Sequence, residues 1–139
     1  MKQALQVAAT GDGMRLVMEA FDAFLRACGL GPDRGWELGV ALDEVLSNAV
    51  RHGCAGRPGA SVGVAFELLQ GVVTVTVEDD GPAFDPLSLA APDTEAPLES
   101  RQPGGLGVYL TRRLVDSVSY ERREGLNRVQ FARRVTAGG

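Results

Sequence analysis

The sequence has little of what several chemistries need. Of 139 residues, one is histidine (His52) and two are cysteines (Cys28 and Cys54). The cysteines lie far apart and form no CxxC pair, so a zinc site is hard to build and a disulfide framework is excluded. Two buried thiols are the plainer reading. Lys2 is the sole lysine, and no GxxxxGK segment exists, which rules out a Walker-type phosphate loop. No apolar run approaches the roughly 18 residues of a membrane span, and MKQALQVAATGDG has no signal-peptide core. The net charge of −4 gives no basic footprint for DNA or RNA. A soluble, cytoplasmic chain with no direct nucleic-acid or membrane partner is expected.

What is present suits one packed domain over residues 1–139: 45% hydrophobic and 23% charged residues. Residues 2–9 read as a first strand. Over residues 13–28, Val17, Ala20, Phe21, Phe24, Leu25 and Cys28 follow the spacing of a helix with one buried face. Gly29 and Gly31-Pro32 stop it. A second helix is expected from Asp33 or Arg34 to His52, with Leu38, Leu42, Val45, Leu46 and Ala49 as its stripe and Gly53 ending it. Residues 60–69 and 72–79 read as a hairpin turning at Gln70-Gly71, with Val73, Val75 and Val77 opposite Thr74 and Thr76.

Pro82, Pro86, Pro92, Pro97 and Pro103 then break the pattern, and a loop over about 85–104 reads as a lid. A third helix is expected from GGLG to about Val115, followed by a hairpin of 117–123 and 127–135 around Gly125. The order β, α, α, ββ, lid, α, ββ predicts an α+β fold. It is a two-layer sandwich of a mixed, largely antiparallel sheet with helices on one face.

Three segments can carry chemistry. Glu44 and Asn48 are one turn apart on the second helix, on a face other than the apolar stripe. For an isolated ExxxN a solvated polar face is the better explanation. Asp79-Asp80-Gly81-Pro82-Ala83 ends a strand in a carboxylate and a turn, so an ionised, acceptor-only Asp79 could meet an exocyclic amine; a plain surface turn is the alternative. Gly104-Gly105-Leu106-Gly107 opens a helix, where backbone N–H groups favour phosphate. A flexible connection is the bland reading there.

In this order, the three segments resemble the boxes of the GHKL ATPases, the Bergerat nucleotide-binding fold. ALDEVLSNAVRHG is similar to the N box, VEDDGPAFDP to the first glycine box and GGLGVYLTRRLVDSV to the second. The resemblance covers about residues 10–135 and is nearest to stand-alone serine-kinase anti-sigma factors of the RsbW and SpoIIAB type. It implies ATP and Mg²⁺ as cofactors. It implies that Asn48 binds the Mg²⁺, that Glu44 is the general base, and that Asp79 accepts the adenine amine with Gly81 leaving room for the ring.

The resemblance further implies that the Gly104, Gly105, Leu106 and Gly107 turn faces the phosphates, with N–H groups from Gly105 and Gly107. Arg51 and His52 lie just past Asn48 and could reach phosphate, although His52 also suits a helix C-terminal cap. Arg101 in the lid helps close over the triphosphate or is solvated. Ala83 departs from the usual glycine and adds a methyl beside the adenine site. The usual threonine of the last strand is missing as well; Asn127 or Arg128 supplies polarity there, with its contact unassigned.

The function so implied is a protein serine/threonine kinase and anti-sigma factor. It would hold a sigma factor and phosphorylate an anti-sigma factor antagonist, as a homodimer. Two other readings share the boxes. A sensor histidine kinase fragment needs a phosphoacceptor histidine in a separate helical domain, and His52 lies within the N box instead. A non-catalytic nucleotide-binding interaction module would not need the intact Glu44 and Asn48.

Overall fold

The computed structural model describes residues 1–53, 57–85, 87 and 111–135. Strand β1 (Lys2–Ala8) leads into helix α1 (Gly11–Ala27), whose start is set by Thr10. The Thr10 hydroxyl accepts from Gly13 N–H at 3.1 Å and satisfies one donor of the first turn. Gly13 is required there, because a Cβ would collide with the carbonyl oxygen of Ala8. After α1 the chain turns within Cys28–Gly31, and α2 (Pro32–Asn48) begins with proline in its first turn, where the lost N–H costs nothing. So short a connection makes the two helices an antiparallel hairpin.

The chain then runs through β2 (Ser61–Leu69), β3 (Val72–Asp79), β4 (Ser117–Arg123) and β5 (Leu126–Arg134). The five strands lie in the order β1-β2-β3-β5-β4. Every described pairing is antiparallel, so the mixed sheet expected from the sequence is instead wholly antiparallel among the described residues. Two helical passes between β1 and β2 return the chain to the end where β1 finished, and β2 must run back beside it. Both hairpins turn at paired left-handed residues: Gln70 and Gly71 at φ 53° and 78°, Glu124 and Gly125 at φ 55° and 80°. Such turns match the right-handed twist of the strands they join.

The core lies between the helix pair and one sheet face. Val17, Phe21, Phe24 and Leu25 of α1 and Leu38, Leu42, Val45 and Leu46 of α2 are buried against Val64, Phe66, Val73, Val75 and Phe131. Phe66 holds both helical rings, with centroids 5.0 Å from Phe21 and 5.5 Å from Phe24. Arg133 of β5 pairs with Glu37 of α2 at 2.7 Å and fixes the far end of that helix on the sheet.

The second helix is shorter than the sequence predicts. The α-helical pattern ends at Asn48, and Ala49–Gly53 form a π-helical turn. Single π turns widen the backbone and recur at functional sites. Residues 111–114 are helical, in keeping with the end expected for the third helix. The start of that helix, the lid and Cys54 lie outside the described residues.

Candidate functional site

The period of two in β3 carries past its valines. Val73, Val75 and Val77 face the helices, so Asp79 faces them too and is buried at the strand's end. Asp79 lies opposite Asn127 in the β3–β5 register, and Asn127 precedes Val129 and Phe131 on the same inward face. Strand β3 ends, and β5 begins, at the end of the sheet where α2 finishes. The helix end thus overhangs two inward polar residues of the sheet.

Between them lies a cavity of about 20 Å³, lined by Val45, Asn48, Ala49, Val77, Asp79, Phe84, Asn127 and Val129. That volume is enough for about one water. Asn48 is 4% exposed, so it is not on a solvated face as its place outside the apolar stripe suggests. Its Oδ1 is buried without a hydrogen-bond partner, alone in this among the described residues. Leaving such an acceptor unpaired costs free energy, and a lone oxygen aimed into a cavity suits a cation or a bridging water. The residues present therefore fit a hard cation held together with other oxygens. Among the described residues no cluster of three His, Cys, Asp or Glu side chains could hold a metal by itself.

Glu44 is half-buried one turn before Asn48 and has no ion pair or hydrogen bond among the described residues. Asp79 accepts at Oδ1 from Gly81 N–H at 2.9 Å and from Asn127 Nδ2 at 3.0 Å. Gly81 is buried beside it. Arg51 sits in the π turn and is exposed. The backbone of His52 lies in the same turn, its side chain outside the described residues. Arg101, Gly104, Gly105, Leu106 and Gly107 lie outside them as well.

Ala83 is exposed and does not line this cavity, whereas Phe84 does. Phe84 N–H donates to Asn127 Oδ1 at 3.2 Å, which draws Phe84 inward and leaves the preceding residue facing out.

Three residues were not assigned from the sequence. Asn127 bonds Asp79, Pro82, Phe84 and Tyr120. Tyr120 reaches it from β4 at 2.6 Å, and Arg122 Nη1 donates to Gly81 O at 2.7 Å. The signal that finds Asn127 is the strand register rather than any local motif.

Residues 7–133 match the family model of the histidine kinase-like ATPase domain. The chain belongs to that family. This histidine kinase-like ATPase domain is 32% identical over 90 residues to the serine/threonine-protein kinase BtrW of Bordetella bronchiseptica, a match covering 65% of this chain and 63% of BtrW. It is 27% identical over 95 residues to the serine-protein kinase RsbW of Oceanobacillus iheyensis, covering 65% and 60%. With the Staphylococcus aureus serine-protein kinase RsbW it shares 24% over 129 residues, covering 88% and 80%. The match thus spans about three fifths of the first two relatives, BtrW and the Oceanobacillus RsbW.

The fold has solved counterparts. The RsbU and RsbW domains of Rv1364c from Mycobacterium tuberculosis superpose with a TM-score of 0.68 at 19% identity, over 97% of this chain and 32% of that one. The histidine kinase domain of a blue-light activated kinase from Erythrobacter litoralis superposes at 0.52 with 22% identity, over 76% and 46%. The chain is thus an RsbW-like ATPase domain. Among the described residues no helix is long and apolar enough to cross a membrane.

Proposed function

We propose that this ATPase domain is an ATP-dependent protein serine/threonine kinase that also acts as an anti-sigma factor, within a single unit over residues 1–139. It would sequester a sigma factor and phosphorylate an anti-sigma factor antagonist, working as a homodimer in the cytoplasm. The observation that carries the reading is the orphaned Asn48 Oδ1 in a cavity shared with Asp79. Glu44, with no partner among the described residues, stands one turn away. Relatives named as serine-protein kinases support the same direction.

The roles follow from the chemistry of each group. Asp79 accepts the exocyclic amine of the base, and buried Gly81 lets the ring approach. Asn48 offers its amide oxygen to Mg²⁺, which when bound neutralises phosphate charge and aligns the γ-phosphoryl group. Glu44 takes the proton from the attacking serine or threonine hydroxyl as the oxygen–phosphorus bond forms, and ADP leaves. Arg51, and His52 beside it, stand past the metal ligand and reach toward phosphate. Arg101, in the expected lid of about 85–104, and Gly104, Gly105, Leu106 and Gly107 would contact the triphosphate.

The test is calorimetric titration with ATP and Mg²⁺ on the parent and on Asn48→Ala. Saturable binding by the parent and its loss in the variant support the site. No binding by a folded parent overturns the kinase reading. Transfer of labelled phosphate to a protein serine or threonine then separates a kinase from a non-catalytic nucleotide-binding module.

A further inference from the structure

Asn127 is a buried polar residue, 4% exposed, and its amide is fully committed. Its Nδ2 donates to Asp79 Oδ1 at 3.0 Å and to Pro82 O at 2.9 Å, with Gly81 O at 3.4 Å. Its Oδ1 accepts from Phe84 N–H at 3.2 Å and from the Tyr120 hydroxyl at 2.6 Å. The partners decide which way the amide points. A backbone N–H needs the oxygen, while a carbonyl and a carboxylate need the nitrogen. A flipped amide would oppose like to like at three contacts.

An asparagine amide has two donors and two lone pairs, and here all four are used. Asn127 therefore keeps nothing for a ligand of its own. Its effect falls on Asp79. Asn127 Nδ2 and Gly81 N–H grip the same carboxylate oxygen from two sides, so the group is held against rotation. Oδ2 is left with no hydrogen-bond partner among the described residues, on a side chain that lines the cavity. An ionised carboxylate only accepts, so a fixed Oδ2 rewards a donor and repels a lone pair.

We propose that Asn127 is a positioning residue that sets base specificity: it locks Asp79 so that one acceptor oxygen selects a purine bearing an amino group at C6. Tyr120 braces the lock from β4, and Arg122 holds the Gly81 carbonyl beside it. The inference rests on the nucleotide-site reading above and adds the residue that makes the site selective. A threonine has one hydroxyl and cannot make these four bonds, so the network depends on the asparagine amide.

The test compares ATP with purine riboside triphosphate, which lacks the 6-amino group, by calorimetry with Mg²⁺. The parent, Asn127→Leu and Tyr120→Phe are titrated with both. The parent should prefer ATP by about tenfold or more, the scale of a hydrogen bond to a charged group. In Asn127→Leu the preference should collapse toward unity, while affinity for purine riboside triphosphate changes by less than about threefold. Tyr120→Phe, which deletes a single hydroxyl, should fall between.

A parent that binds neither triphosphate overturns the nucleotide-site reading itself. A parent that binds, with the preference intact in Asn127→Leu, overturns only the role of Asn127. Equal loss of both ligands in a folded Asn127→Leu would mean a structural role and also overturns it. Should Asn127→Leu not fold, Tyr120→Phe decides, and an unchanged preference there overturns the proposal.

Discussion

Glu44 and Asn48 stand one turn apart on α2, and the fold treats them differently: among the described residues Glu44 is half-buried with no partner, while Asn48 is buried with none for its oxygen. An unpaired buried acceptor is a standing cost of about 1–3 kcal/mol. Asn48→Leu has similar volume and removes that cost. The ligand-free variant should be more stable by about 1 kcal/mol in urea unfolding, and should lose Mg²⁺-dependent ATP binding. A destabilised variant that still binds would remove the case for Asn48 as a ligand site.

Glu44→Gln keeps size and shape but cannot take a proton. The side chain has no partner to lose among the described residues, so stability should stay within about 0.5 kcal/mol. ATP affinity should hold, and phosphate transfer to protein should fall by about 10²–10⁴. Unchanged transfer would exclude Glu44 as the base.

Thr10 caps α1 far along the chain from the cavity residues. Thr10→Ala frees the Gly13 N–H it holds and should cost about 1 kcal/mol in unfolding free energy. Nucleotide affinity should not move. The variant calibrates how much general destabilisation affects binding assays of the site variants.

Arg57 lies 3.1 Å from Asp80 and holds its carboxyl below the ordinary value, first by hydrogen bond and then by charge. A folded-state pKa below the unfolded one adds stability above the unfolded pKa, and that stability is lost as the pH falls through the folded value. Both side chains are exposed, so the contribution is small and screened by salt. Carboxyl-carbon NMR should show the Asp80 midpoint rising toward its ordinary value in Arg57→Ala. An unmoved midpoint would mean that Arg57 does not pair with Asp80 in solution.

These sites were unevenly legible in the sequence. The alternation through Val73, Val75 and Val77 is local and puts Asp79 on the inward face, and the ExxxN spacing is local and puts Glu44 and Asn48 one turn apart on α2. Burial of Asn48 is not local. It follows from α2 ending over the ends of the inner strands β3 and β5, which helix periodicity does not contain. The π turn over Ala49–Gly53 replaces the last turn of a helix expected to run to His52, and no residue type in AVRHG announces it. The Asn127 network depends on the pairing of Asp79 with a residue 48 positions later. Propensity cannot set that register between strands not joined by a hairpin; the inward residues Val75, Val77, Val129 and Phe131 of the two strands align it against the helices.

The cavity among the described residues has room for about one water, so a base entering there would press on its lining. Val77, Asp79, Asn127 and Val129 belong to two paired strands, and Val45 and Asn48 to a helix packed on them. Ala49 opens the π turn and has only a methyl to displace. Phe84 is the large wall residue on a loop, half-buried and beyond the end of β3. Of the described lining residues it alone lies outside helix and strand, so its ring is the one expected to shift for a base. Phe84→Ala removes it, so stopped-flow mixing with a fluorescent ATP analogue should show association several-fold faster than in the parent. Dissociation should be faster too, because the variant loses apolar contact with the bound base. Association at the parent's rate would assign the opening to another wall and leave Phe84 as a passive lining residue.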